Sequence, residues 1–391
     1  MSDSRNGTLV IIGGGPAGLS AARSYREAGG TGPVRIISAD DEPPYQRPPL
    51  SKEFLRGEAE DGDLPLEDND FYREHEIELS LGDPVTSLDP EARTVTTAAG
   101  ESLSYEHCVL ATGSEPIRPD VPGADHEDVL VLRSAASARR LREVASGIRS
   151  AIVVGSGFIG CEAAVSLARR GIQVTLMSPE KLPQADRLGA AAGKRIRQWL
   201  KAEGVSVLPE TTLKGIEDGY RVHTDLVPTV DAGVVLLATG VAPRTELAKK
   251  AGLEVFEGRV RVDEHMRTSA ARVFAAGDVA LAYNTSAGRA LSVEHWGEAL
   301  KMGEIAGRAA AGEDVSWDNA PGFWTVIGDR VLKYAAWGDG YDQAELVNYA
   351  DGGFTVWYGC TGTTVGVLTH EADDDYERGT ALVEQGKPLP L

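Results

Sequence analysis

Two stretches with the same grammar decide the fold: Leu9-Val10-Ile11-Ile12-Gly13-Gly14-Gly15-Pro16-Ala17-Gly18 and, about 140 residues later, Ala151-Ile152-Val153-Val154-Gly155-Ser156-Gly157-Phe158-Ile159-Gly160. Each opens on a short apolar run with the length of a buried strand, then passes through glycines into an Ala/Leu-rich stretch of helical composition. The pattern G-x-G-x-x-G carries meaning only in that strand-turn-helix setting. There the first glycine permits a tight turn, the second lets a pyrophosphate reach the backbone, and the third lets helix and strand pack closely. The phosphates then rest on the unpaired amides at the helix N-terminus. Two such units imply two dinucleotides, and hydride transfer between them is the commonest reason to hold both.

Working outward, the first unit continues with a helix over 17–28 and a strand over 34–37, and the second with a helix over 160–170 and a strand over 173–177. An acid- and proline-rich stretch, 40–70, reads as a long functional loop with a short helix. Alternating segments over 78–109 predict antiparallel strands that end in Val109-Leu110-Ala111-Thr112-Gly113. A helix is expected over 133–148. The run Val234-Val235-Leu236-Leu237-Ala238-Thr239-Gly240 repeats the earlier strand and turn, so the chain carries an internal repeat. A third apolar strand ends in Ala275-Ala276-Gly277-Asp278, a helix follows over 294–311, and the tail from 317 reads as a small α/β domain.

Composition narrows the function. The 391 residues leave room for about two or three domains. A net charge of -20 repels nucleic acid and anionic membranes, which argues against both as partners. No apolar run approaches the length of a membrane-spanning helix. The N-terminus lacks the basic-then-apolar order of a signal peptide, so a cytoplasmic protein is expected. The three cysteines, Cys108, Cys161 and Cys360, have neither C-x-x-C nor metal-ligand spacing and read as small buried hydrophobes. No metal site is expected, and monomer and homodimer both stay open.

With these motifs in order, the chain resembles the FAD-dependent NAD(P)H:ferredoxin reductases that serve bacterial oxygenases, on the glutathione-reductase type of fold. The most specific stretch is Pro44-Tyr45-Gln46-Arg47-Pro48-Pro49-Leu50-Ser51-Lys52; the two Ala-Thr-Gly turns, Ala276-Gly277-Asp278, Val293-Glu294-His295-Trp296, Phe323-Trp324 and the run 362–368 agree with it. The resemblance implies an α/β architecture with two Rossmann-like dinucleotide-binding domains plus a small C-terminal α/β domain. FAD would be held by 1–113 and 244–320, NAD(P) by 114–243, and 321–391 would form the tail domain. Thiol-dependent relatives place a cysteine near the first flavin helix, and this chain has none there.

The resemblance also implies site residues. Gly13, Gly15, Ala17 and Gly18 would hold the FAD pyrophosphate. Asp40 is the best-placed acid for the adenosine ribose, with Asp41 and Glu42 competing. Arg47, Val85, Thr112, Gly113 and Arg133 would complete the FAD side, and Asp278 would take the ribityl chain. The helix starting around Glu294, His295 and Trp296 would aim its positive end at the flavin pyrimidine ring and raise the reduction potential. Lys52 and Glu162 would meet close to flavin N5 and tune the hydride step, the plain alternative being an ordinary buried ion pair. Trp324 would lie near the nicotinamide, or else be a core tryptophan of the tail. Gly155, Gly157, Gly160 and Gly240 would hold NADH or NADPH.

One departure matters for the donor. NADH-specific relatives end the strand after the second fingerprint with an acid, whereas this chain has Ser178, followed by Pro179, Glu180 and Lys181. Ser178 with Lys181 would accept a 2′-phosphate and Glu180 pulls the other way, so the preference stays open. The acceptor implied is a ferredoxin-type iron–sulfur protein, docking through cations among Arg289, Lys301, Arg308, Arg330 and Lys333. A quinone, oxygen or small-molecule acceptor, and a redox-sensing interaction protein resembling apoptosis-inducing factors, are the competing readings.

Overall fold

The computed structural model describes residues 7–390. Its contacts divide the chain into two units. One takes the described residues up to Gln46 with Pro65–Glu115 and Ala242–Gly322; the other takes Arg47–Leu64, Pro116–Val241 and the described residues from Phe323.

The first unit is built on a five-stranded sheet in the order Val273–Ala275, His107–Leu110, Leu9–Ile12, Val34–Ile37, Ile77–Ser80, with every neighbouring pair parallel. Parallel strands are covered on both faces, which is why Leu9–Ile12 and His107–Leu110 are buried at every position. Here the expectation for 78–109 needs correction. Only Val85–Asp89, Thr94–Thr97 and Ser102–Ser104 pair antiparallel; Ile77–Ser80 and His107–Leu110 belong to the parallel sheet. Ile77–Ser80 is entered from the helix Asn69–Glu74, a crossover that returns the chain in the same direction.

Over this sheet the first fingerprint helix, Pro16–Glu27, packs on the helix Trp296–Ala310. Their backbones are so close that a Cβ on Gly303 or Gly307 would lie 2.2 Å from the carbonyl oxygen of Ala17 or Ala21. Ser20 Oγ donates to Leu300 O at 2.7 Å. The pairing of 17 with 303 and 21 with 307 makes the two helices parallel, so both N-termini face the same end.

The second unit repeats the plan with Ser206–Leu208, Gln173–Met177, Ser150–Val154, Val234–Leu237 and Val129–Val131, again all parallel. Its core includes Ile152, Val154, Met177, Val235 and Leu237. The helix expected over 133–148 is shorter, Ala135–Val144; Ser134 and Ser137 close a capping box that sets its start. The tail forms a five-stranded sheet, Gly322–Ile327, Arg330–Ala336, Thr363–His370, Phe354–Cys360, Gln343–Asn348, with the helix Asp373–Glu384. Close packing is required there too, since a Cβ on Gly379 would meet Val367 Cβ at 2.6 Å. Among the described residues no helix is long and apolar enough to cross a membrane.

Candidate functional site

Each glycine fingerprint shows three separable steric jobs. Gly13 has φ +123°, and a Cβ there would meet Ala111 O at 2.1 Å; Gly155 has φ +108°, with Ala238 O at 2.2 Å. Both therefore need glycine for the turn. A Cβ on Gly18 would lie 2.1 Å from Gly13 O, and one on Gly160 would lie 2.0 Å from Gly155 O, so both serve helix–strand packing. Gly15 differs, because a Cβ there would meet nothing within 4 Å, and at Gly157 it would meet only Gln184 Nε2 at 3.7 Å. Among the described residues no contact demands glycine at these two positions. Both are helix N-caps without side-chain caps, and neither helix has an acid in its first turn. In a chain carrying 59 acids, that leaves two uncapped positive helix ends with open approach. The residues present fit a dinucleotide pyrophosphate at each.

Further predicted residues belong to the first unit. A Cβ on Gly277 (φ +77°) would touch Ala17 Cβ at 3.2 Å and Ala299 Cβ at 3.5 Å, so the strand end before Asp278 abuts both helices. Asp278 is buried, and its Oδ2 accepts from Ser114 Oγ at 2.6 Å. Trp296 is the first residue of its helix, His295 the N-cap, and Glu294 pairs with Arg259. Glu298 in that first turn is buried. Its carboxylate accepts from Trp317 Nε1 at 3.1 Å, Asn319 Nδ2 at 3.3 Å and Gly322 N at 3.3 Å, while burial pushes its pKa up. Asp40 accepts from Tyr45 Oη at 2.7 Å and from Glu42 N at 3.3 Å. Thr112 Oγ1 donates to Arg244 O at 2.8 Å, Gly113 has φ +64°, and Val85 pairs with Thr97 in the antiparallel sheet.

In the second unit Lys52 and Glu162 are both buried and meet at 3.4 Å. Lys52 is the loosest of four donors to that carboxylate. Glu162 Oε2 also accepts from Ser51 Oγ at 2.5 Å, and Oε1 accepts from Thr325 Oγ1 at 2.7 Å and Val326 N at 3.3 Å. Sequence reading missed Ser51 and Thr325; Thr325 lies 163 positions from its partner and carries no motif. Along the same strand the Phe323 ring packs tilted against Phe158 of the second fingerprint at 4.6 Å, and Trp324 is 49 % exposed, so Trp324 is no core residue of the tail. Arg47 Nη1 donates to Arg133 O at 2.9 Å. Gly240 has φ +106°. The Ser178 hydroxyl is buried and lies 2.8 Å from Ser156 Oγ.

The suggested docking cations have acid neighbours, and one cysteine departs from expectation. Four of the five cations suggested for docking are matched by the chain's own acids: Lys301 and Arg308 with Glu304, Arg330 with Glu203, Lys333 with Asp373. The three cysteines are free. Cys108 and Cys161 are fully buried and burial pushes both thiols far up, so neither is a thiolate nucleophile. Cys360 is half-buried rather than a core residue.

Residues 7–303 match the family model described as pyridine nucleotide-disulphide oxidoreductase. The chain is 33% identical over 337 residues to a rubredoxin-NAD(+) reductase of Pseudomonas putida, covering 83% of this chain and 85% of that one. It is 30% identical over 387 residues to a rhodocoxin reductase of Rhodococcus erythropolis, covering 98% and 90%. Among solved structures, the ferredoxin reductase for the CYP199A2 system from Rhodopseudomonas palustris superposes with a TM-score of 0.93 at 28% identity, over 98% of this chain and 96% of that one.

Proposed function

This chain belongs to the pyridine nucleotide-disulphide oxidoreductase family, and from that premise we propose that it is a FAD-dependent NAD(P)H:ferredoxin reductase feeding an oxygenase. The observation that carries this reading is the pair of glycine cradles whose middle glycines, Gly15 and Gly157, have no packing duty in the protein. Bound FAD and NAD(P)H supply hydride transfer and the onward release of single electrons to an iron–sulfur protein.

The chain's own residues bind and orient. The amides at Gly15 and Gly157 hold the pyrophosphates, Asp40 takes ribose hydroxyls, and Asp278, fixed by Ser114, takes the ribityl chain. The N-terminus at Trp296 places positive potential where negative charge collects. Ser51 and Thr325 lock the Glu162 carboxylate from two sides, so Glu162 in turn sets the position of the Lys52 ammonium. Lys52 then stabilises electron density arriving nearby, and positioning supplies the rest of the acceleration. Cys108 and Cys161, buried and neutral, take no part in thiol exchange.

The test is an anaerobic absorption titration with NADH and NADPH, followed by turnover with a ferredoxin and a cytochrome reporter. A bleached flavin spectrum and ferredoxin-dependent cytochrome reduction are expected. A preparation that stays colourless with added FAD, or a flavin that reduces oxygen as fast with ferredoxin absent, overturns the reading.

A further inference from the structure

The internal repeat extends beyond the glycines to the residues that follow each second strand. The last parallel pairs are Ile12 with Ile37 and Val154 with Met177, and Gly13 N and Gly155 N donate to Ile37 O and Met177 O at 2.8 Å in both units. The next residue is a buried serine in each, Ser38 and Ser178. Two positions on stands an acid whose backbone amide donates to that serine: Asp40 N to Ser38 Oγ at 3.1 Å, Glu180 N to Ser178 Oγ at 3.2 Å. Glu180 therefore occupies in the second unit the place that Asp40 occupies in the first.

The surroundings fix where its carboxylate goes. Ser156, the variable residue of the second fingerprint, lies 2.8 Å from Ser178 Oγ and 2.8 Å from Glu180 Oε2. A hydroxyl has one proton, and the carboxylate is the stronger acceptor, so Ser156 donates to Glu180 and accepts from Ser178. Gln184 N donates to Glu180 Oε2 at 3.1 Å, and Gln184 Nε2 donates to Ser156 O at 3.2 Å, folding the segment back onto the fingerprint turn. Among the described residues Glu180 Oε1 has only the long contact from Asp186 N, 3.4 Å, and keeps acceptor capacity. Among the described residues no lysine or arginine bonds Ser156, Ser178 or Glu180. Lys181 is exposed, and the Arg187 guanidinium lies 5.9 Å over the Phe158 ring instead.

We propose that Glu180, two residues past the end of the strand, receives the adenosine ribose hydroxyls of the pyridine nucleotide and excludes a 2′-phosphate, making NADH the donor in preference to NADPH. This rests on the reading that the second unit binds a pyridine nucleotide. A carboxylate held on the fingerprint turn accepts hydrogen bonds from a vicinal diol and repels a dianionic phosphate at the same place.

The test uses the full-length, FAD-loaded protein and two ligands without a reducible ring, ADP-ribose and its 2′-phosphate, by isothermal titration calorimetry. ADP-ribose should bind at least about tenfold more tightly in the wild type, which corresponds to about 1.4 kcal/mol. Glu180→Gln keeps one acceptor oxygen, which serves the Ser156 hydroxyl and the Gln184 amide, gives up only the long Asp186 contact, and should narrow the ratio to within about threefold. Lys181→Ala should leave the wild-type ratio in place. Equal binding, tighter binding of the phosphorylated ligand, or an unchanged ratio in Glu180→Gln overturns the assignment of Glu180. Failure of both ligands to bind a protein that retains FAD overturns the nucleotide reading of this unit, and this inference with it.

Discussion

Glu162→Gln and Lys52→Met remove opposite halves of one buried pair, and the structure makes their costs unequal. Glu162→Gln keeps the side chain's size and one oxygen for Thr325 Oγ1 and Val326 N, but strips the charge facing Lys52 Nζ. Lys52 is 7 % exposed, and Glu162 is its one ion-pair partner among the described residues. Stranding a buried charge costs about 3–5 kcal/mol. Lys52→Met leaves the carboxylate its bonds from Ser51 at 2.5 Å, Thr325 at 2.7 Å and Val326 at 3.3 Å. Losing the longest of four donors to a charged group costs about 2 kcal/mol. The difference is about 2 kcal/mol, and at about 2–4 °C per kcal/mol for a unit of this size the Gln variant should melt about 4–8 °C below the Met variant. Thermal unfolding followed by tryptophan fluorescence at pH 7, with FAD saturating, reads this directly. A Met variant that melts at the same temperature as the Gln variant, or lower, would refute the claim that Ser51 and Thr325 are the main holders of Glu162.

Gly15→Ala should leave the melting temperature of the FAD-free protein within about 2 °C of wild type, since the new methyl meets nothing, yet weaken FAD binding about tenfold or more; an FAD titration with unchanged affinity would remove the pyrophosphate from that glycine. Gly307→Val puts a branched side chain where a single Cβ already lies 2.2 Å from Ala21 O, and a loss of at least about 3 kcal/mol in urea unfolding is expected. His107 is buried with neither ring nitrogen hydrogen-bonded, and its pKa is lowered first by burial and then by Arg93. Above about pH 6.5 it is neutral folded and unfolded and contributes no pH dependence; below that the unfolded chain takes a proton the folded one refuses, so stability falls by at most about 1.4 kcal/mol per pH unit. The urea midpoint should therefore drop more between pH 7.5 and 5.5 in wild type than in His107→Phe, and equal drops would show that other groups set the acid sensitivity.

What the chain wrote locally could be read locally. The strands Leu9–Ile12 and Val34–Ile37, the glycine turns and the parallel α/β plan follow from apolar runs, helix composition and glycine spacing, because turn strain and close packing act within about ten residues of the pattern that causes them. The direction of Ile77–Ser80 was not legible, since a lone four-residue strand carries no signal for whether a crossover or a hairpin delivers it. The helix contact through Gly303 and Gly307 joins segments about 280 residues apart, and no periodicity announces a partner at that distance. The same holds at the functional side chains. Lys52 and Glu162 were legible as a pair only through resemblance, while Ser51 and Thr325, their tighter neighbours, were placed by tertiary packing. For the proposed donor site the sequence set Ser178 with Lys181 against Glu180 and left the preference open. The fold separated them by turning Ser178 inward, leaving Lys181 exposed and bringing Glu180 back onto Ser156, because a carboxylate so placed finds a hydroxyl and two backbone amides to bind.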